Sequence, residues 1–186
     1  MSQDALRMAA ISLPNVAAIE RAQGSTALAQ VLGEVFAALR LPIYRYLLSN
    51  AGNRLDAEDL TQETFLHLVR AVRRGEAPDN LRSWLFQVAH NLLVDFHRGS
   101  MRAPAREDPA WVDSIDAGQD VEQAAICRER LERFLACLSP SERRCIELRL
   151  EGLRYREIGS VLGIRVPTVQ TFLARAAGKL ARQNHE

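Results

Sequence analysis

Lysine is almost missing from this chain of 186 residues: of its 24 basic side chains, 23 are Arg and one, Lys179, is Lys. Cysteine is scarce too. Cys127, Cys137 and Cys145 are an odd number at spacings that match no zinc pattern, which argues against a disulfide framework. No apolar run approaches the ~18 residues of a membrane span, and the N-terminus lacks a basic, apolar, small-residue leader. The expectation is a soluble, cytoplasmic protein without membrane insertion. No Ser-His-Asp nucleophile setting, His-Glu-x-x-His or Cys-x-x-Cys motif or phosphate-cradling Gly loop is present, so no catalytic residue, metal site or cofactor is expected. What is there is globular: 47% hydrophobic and 25% charged residues, in a length that allows one domain or two small ones.

The formal net charge of +1 at first speaks against a nucleic-acid partner. Its distribution says otherwise. Residues 1–36 set Arg7 and Arg21 against Asp4, Glu20 and Glu34, a net of −1. Residues 37–103 carry 9 Arg against 7 acids, a net of +2. Residues 104–126 hold Arg106 against Glu107, Asp108, Asp113, Asp116, Asp120 and Glu122, a net of −5. Residues 127–186 carry 11 Arg and Lys179 against 7 acids, a net of +5. Arg favours planar, bidentate contacts to phosphate and guanine, although a GC-rich genome produces the same bias.

Apolar residues recur at helical spacing on both sides of an acidic stretch that contains Pro104, Pro109 and Gly118, and no alternating strand pattern appears. The fold class is therefore all-α: two small helical domains joined by an acidic flexible linker. The expected division is an extension over 1–30, a first domain over 31–102, the linker over 103–120 and a second domain over 121–186. Three helices are expected upstream. The first runs over 32–49 with Val35, Phe36, Leu39, Ile43, Tyr46 and Leu47 inward. The second, over 56–74, has Asp56 as N-cap. The third, over 79–98, has Leu81, Trp84, Leu85, Val88, Leu92 and Phe96 inward. Downstream, a helix over 121–138 precedes Ser139-Pro140-Ser141-Glu142, a capping box with Pro at the first helical position. It opens a helix over 140–150, with two more over 154–162 and 167–182.

The last two helices, joined by a turn containing Gly163, have helix-turn-helix form, though an ordinary helical hairpin shares that spacing. With Val169, Leu173, Ala176 and Leu180 inward, the final helix turns Gln170, Thr171, Ala174, Arg175, Gly178 and Arg182 outward. Such a surface suits a major groove, with Arg on phosphate or guanine and Gln or Thr on base edges. The run Glu151-Gly152-Leu153-Arg154-Tyr155-Arg156-Glu157-Ile158-Gly159, then Leu162-Gly163-Ile164, Thr168-Val169 and Leu173-Ala174-Arg175-Ala176, resembles domain 4 of bacterial sigma factors of the extracytoplasmic-function (ECF) type. The resemblance implies binding to the −35 promoter element through Arg165, Thr168, Gln170, Thr171, Ala174, Arg175, Lys179 and Arg182. Arg165 stands where the family usually has a Ser or Thr N-cap.

On the second helix, Thr61, Phe65, Leu68 and Val72 form an inward stripe, leaving Asp59, Gln62, Glu63, Leu66, Arg70 and Arg73 outside. By itself this face is either a docking surface or a solvated face with one stray Leu. The segment Asp56-Ala57-Glu58-Asp59-Leu60-Thr61-Gln62-Glu63-Thr64-Phe65-Leu66 is similar to the domain 2 signature of the same family. This implies docking of Asp59, Gln62, Glu63, Leu66 and Arg70 on the β′ clamp helices of core RNA polymerase, with the β flap as a further contact. Ser83-Trp84-Leu85, Val88-Ala89-His90-Asn91-Leu92 and Asp95-Phe96-His97-Arg98 resemble the segment that reads and melts the −10 element. The implied −10 contacts are Arg73, Arg74, Ser83, Trp84, Gln87, His90, Asn91, Val94, His97 and Arg98. Amide, imidazole and guanidinium groups can bond base edges or phosphates, and aromatic or Arg faces can stack on an unpaired base.

The family further implies promoter DNA and an anti-sigma factor as partners, and an alternative sigma factor as the function. In the family the linker threads through the polymerase near the RNA path; a solubilising tether is the plain alternative. Two other function classes remain open on residues alone. One is a free-standing helix-turn-helix regulator with an N-terminal effector or dimerisation domain. The other is a small metal-dependent enzyme using His90, Asp95 and His97.

Overall fold

A computed structural model describes residues 25–76, 78–99 and 135–183. The expected extension up to residue 24, the acidic linker, Cys127 and most of the helix expected over 121–138 lie outside the described residues. The chain divides into two compact units, residues 1–106 and 107–186. All regular structure among the described residues is α-helical.

The first unit holds α1 (Ser25–Ala51), α2 (Arg54–Arg73) and α3 (Leu81–Gly99). Helix α1 starts seven residues before the expected Leu32 and continues through Pro42. By length and composition alone its residues 26–51 could cross a membrane, a test that the core helix of a soluble protein also passes. Its fully buried residues Val35, Leu39, Ile43 and Leu47 follow the i, i+4 stripe of a helix packed on one side, and they form the unit's core with Leu68, Leu85, Phe86 and Leu93. Phe36, expected inward, is exposed; its ring meets Phe65 edge-on at 4.8 Å and lies under the Arg40 guanidinium.

Helix α2 begins two residues earlier than expected because Asn53, not Asp56, is its N-cap. Asn53 has extended backbone, and its Oδ1 accepts from the Asp56 N–H at 2.8 Å. Asp56 then lies in the first turn, where a carboxylate meets the positive end of the helix dipole. Two buried hydroxyls are satisfied within the helix: Thr61 donates to the Ala57 carbonyl at 2.6 Å and Thr64 to Leu60 at 2.7 Å. Ala71 is buried where Val72 was expected to be; Val72 is half-buried. At the start of α3 the Asn80 Oδ1 accepts from the Ser83 N–H at 3.0 Å.

The second unit holds α4 (Pro140–Leu150), α5 (Tyr155–Leu162) and α6 (Val166–Gln183). The capping box before α4 is complete: Ser139 Oγ accepts from the Glu142 N–H, and Glu142 Oε2 accepts from the Ser139 N–H at 2.9 Å. Gly152 and Gly163, both at positive φ, end α4 and α5. Leu148, Leu153, Ile158, Val161, Val169 and Ala176 form the core, and Leu135 and Leu138 pack with Ala176. Leu180, expected inward, is exposed.

Candidate nucleic-acid interface

The outward face of α2 is a line of residues three or four apart. Asp59, Gln62, Leu66 and Arg70 are exposed on it. Glu63 stands half-buried at its edge, and its Oε1 accepts from Arg70 Nη1 at 2.7 Å and lies 3.5 Å from His67 Nε2. Leu66 is 47% exposed. Leu55, at 76%, is the larger apolar exposure on the same line, and sequence reasoning missed it. The signal was present: 55, 59, 62 and 66 share one side of a helix, but starting α2 at Asp56 left Leu55 outside the count.

Helix α3 is rotated relative to the sequence expectation. Its buried residues are Leu81, Leu85, Phe86, Ala89, His90 and Leu93, so the stripe facing away runs Trp84, Val88, Asn91, Asp95 and Arg98. Asn91, Asp95 and Arg98 are exposed; Trp84, Val88, Ser83, Gln87 and Val94 are half-buried. His90 is 8% exposed, with its Nδ1 2.9 Å from the buried Tyr46 hydroxyl, which corrects its placement on the DNA-facing side. His97 is half-buried and also turned back on α1, with Nε2 3.1 Å from the Asn50 carbonyl. Both imidazoles bond α1 because burying Phe86 against Tyr46, edge-on at 5.7 Å, brings that side of α3 to the core. Trp84, Val88, Leu92 and Phe96 are correspondingly less buried than the sequence stripe required. Asp95 is exposed, with Oδ1 3.5 Å from Arg98 Nη1. Arg73 and Arg74 are exposed beside the loop before α3, and Arg74 Nε donates to Glu76 at 2.9 Å.

In the second unit the turn between α5 and α6 depends on a close backbone approach. A Cβ on Gly159 would lie 2.8 Å from the Ile164 carbonyl oxygen, and Gly163 takes the left-handed conformation at φ 65°. The outward side of α6 presents Gln170, Thr171, Ala174, Arg175 and Arg182, with Arg165 just before it; Thr168 is half-buried. The Thr171 hydroxyl donates to the Pro167 carbonyl at 2.9 Å. Arg154 and Arg156, which the sequence reading assigned no contact, are exposed at the start of α5. Their signal was charge alone.

Lys179 does not belong to that outward face, a second correction. Its Nζ donates to Glu142 Oε2 at 2.7 Å and to the Cys137 carbonyl at 2.8 Å. This hydrogen bond, with that from the Ser139 N–H, holds the Glu142 carboxyl below its ordinary value despite its burial. Cys145 packs as a small buried apolar group, and that burial pushes its thiol up to about 11, whereas Cys137 is exposed. Among the described residues no cluster of three or more His, Cys, Asp or Glu side chains could hold a metal ion. The arrangement offers hydrogen-bonding, stacking and phosphate-contacting groups on three helix faces.

Comparison with known proteins gives both units a counterpart. A family model for Sigma-70 region 2 matches residues 35–103, and one for Sigma-70 region 4 matches residues 128–180. The ECF RNA polymerase sigma factor SigE of Mycolicibacterium smegmatis is 33% identical over 144 residues, which cover 74% of this chain and 55% of the relative. The ECF RNA polymerase sigma factor BldN of Streptomyces coelicolor is 28% identical over 169 residues, covering 88% of this chain and 63% of the relative. The chain thus spans less than two thirds of the length of these two relatives. Among solved structures, the sigma factor RpoE of Bartonella quintana, in complex with the anti-sigma factor NepR, is similar in fold. Its TM-score is 0.58 at 23% identity, over 81% of this chain and 94% of that one.

Proposed function

Because the chain belongs to the sigma-70 family and is of the ECF type, we infer that it is an alternative sigma factor. It binds core RNA polymerase in the cytoplasm and directs promoter-specific initiation, doing no covalent chemistry itself. The observation that carries this reading is the order of two matched regions, region 2 over 35–103 and region 4 over 128–180, in two compact units.

The exposed faces divide the labour between them. Asp59, Gln62, Leu66 and Arg70, with Glu63 at the edge, dock on the β′ clamp helices of the polymerase, and the second unit contacts the β flap. The −10 element is read and melted by the side of α3 that carries Trp84, Asn91 and Arg98, flanked by Ser83, Gln87 and Val94, with Arg73 and Arg74 on the phosphates of the displaced strand. The −35 element lies against Arg165, Thr168, Gln170, Thr171, Ala174, Arg175 and Arg182 of the second unit. Residues 31–102 and 121–186 serve as the two reading domains, and the acidic stretch 103–120 tethers them. Two modest contacts joined by a tether act at a high effective concentration, so the pair binds far more tightly than either alone. An anti-sigma factor that covers one of these faces is the expected regulator, as NepR is bound to RpoE in the similar structure.

Run-off transcription with core polymerase and a promoter library tests the reading. Promoter-specific transcripts that depend on the protein are expected, and Leu66→Arg abolishes them by placing a charge where an apolar contact forms. Operator binding without polymerase, and indifference to Leu66→Arg, would instead describe a free-standing regulator.

A further inference from the structure

The chain's one lysine sits on its DNA-reading helix and points the other way. Lys179 Nζ meets two acceptors, Glu142 Oε2 at 2.7 Å and the Cys137 carbonyl at 2.8 Å. The same carboxylate oxygen accepts from the Ser139 N–H at 2.9 Å. One oxygen atom therefore joins the cap of α4 to α6. The pair is shielded, with the Glu142 side chain 6% and the Lys179 side chain 32% exposed.

The rest of α6 shows why the join matters. The buried residues of the helix are Val169 and Ala176; beyond Ala176 no described side chain is buried, and Leu180 is exposed. Among the described residues, apolar packing thus holds the first three turns, and the ion pair is a polar hold on the turns after them. A compact ammonium with three rotatable donors suits two acceptors converging on a point, where a planar guanidinium does not. That distinction gives a reason for Lys here in a chain that otherwise uses Arg.

We propose that Lys179 is a positioning residue for −35 recognition, fixing the pitch of α6 on the α4 cap through Glu142 and the Cys137 carbonyl instead of contacting DNA phosphate. This rests on the sigma-factor reading of α6. The two fail separately: a wild-type chain that forms no promoter-specific complex with core polymerase removes the sigma reading, whereas the behaviour of variants at the ion pair decides the clamp.

The test compares Lys179→Met, Glu142→Gln and the double variant, each as full chain with core polymerase on a promoter that requires its −35 element, across a salt series. Each single variant is expected to weaken binding about tenfold, the double variant no more than either single one, and the salt slope to stay unchanged. A phosphate contact gives the opposite pattern. Glu142→Gln then leaves binding unchanged or tighter, and Lys179→Met lowers the salt slope by about one; either result overturns the proposal. Lys179→Arg separates the two again, since a phosphate contact tolerates Arg and the clamp does not. A measurement without variants guards against misfolding. Lys179 is the single ε-amine of the chain, so its acylation by an amine-reactive ester is readable by mass. Labelling at least about tenfold slower in the folded than in the denatured protein is expected, from an ammonium held by two acceptors. Equal rates would overturn the clamp.

Discussion

The two units solve the same problem, holding in place a helix proposed to face DNA, with different physics. In the first unit α3 is fixed by large apolar side chains: Phe86, Leu85 and Leu93 are fully buried, and Tyr46 packs edge-on against Phe86 while its hydroxyl meets His90. In the second unit the helices are shorter, and the apolar packing of Val169 and Ala176 that holds the first turns of α6 is completed by contacts between single atoms. A glycine lets two backbones touch, a capping box sets the start of α4, and one ion pair ties α6 to that cap. A volume-held helix tolerates small polar changes and fails when mass is removed. An atom-held helix fails when one atom is added or one charge is lost. The difference is sharpest in the buried polar residues: Thr61, Thr64 and His90 in the first unit are uncharged or can be, whereas the second unit buries the carboxylate Glu142.

The largest expected effect comes from removing volume in the first unit. Phe86→Ala should cost about 3–5 kcal/mol, the range for emptying an aromatic site in a packed core. Hydrogen exchange should show the loss in α1, α2 and α3, with α4, α5 and α6 unchanged; equal loss in both units would break the comparison. Next is an added methyl in the second unit. Gly159→Ala places a Cβ 2.8 Å from the Ile164 carbonyl, and that turn is also pinned by the Ile164 N–H donating to Gly159 at 3.0 Å. Because both partners are backbone, neither side can yield by changing a rotamer. About 1–3 kcal/mol of destabilisation is expected, confined to the second unit, with −35-dependent transcription lost before −10 function. Calorimetry of the variant, read together with exchange, checks both magnitude and location.

The same contrast explains what the sequence made legible. Helical period, the Ser139 capping box and the Gly163 turn are local patterns, and all three stand in the structure as read. The α2 face was legible as well, since Asp59, Gln62, Leu66 and Arg70 differ in polarity from the inward Phe65 and Leu68. The α3 face was not. Its sequence is apolar on most sides, so Trp84, Leu85, Val88, Leu92 and Phe96 support one stripe while Phe86, Ala89, His90 and Leu93 support another, one residue apart. Only the partner decides: Tyr46 on α1 offers an edge to Phe86 and a hydroxyl to His90. Lys179 was misplaced for a related reason. A cation on a basic helix looks like a phosphate ligand until an acid from another helix, 37 positions earlier in the chain, is brought within 2.7 Å of it.

The smallest expected effect isolates the charge at that acid. Ser139→Ala removes one half of the capping box and should cost about 1 kcal/mol, the usual value of an N-cap side chain. The Glu142 half remains, and its contribution depends on pH with a definite sign. Its carboxyl is held below the ordinary value, first by the Lys179 hydrogen bond and then by the Ser139 N–H. A group whose pKa falls on folding adds stability that is complete above its unfolded value and disappears as pH drops through the folded one. In the Ser139→Ala background, exchange protection of α4 should therefore hold at neutral pH and decline below the ordinary carboxylate range. Adding Glu142→Gln should flatten that decline while lowering protection at neutral pH, because the amide keeps the shape but forfeits the charge-assisted bond to Lys179. If the acid decline persists without Glu142, another group carries it, and the second unit is not held at its cap by a single carboxylate oxygen.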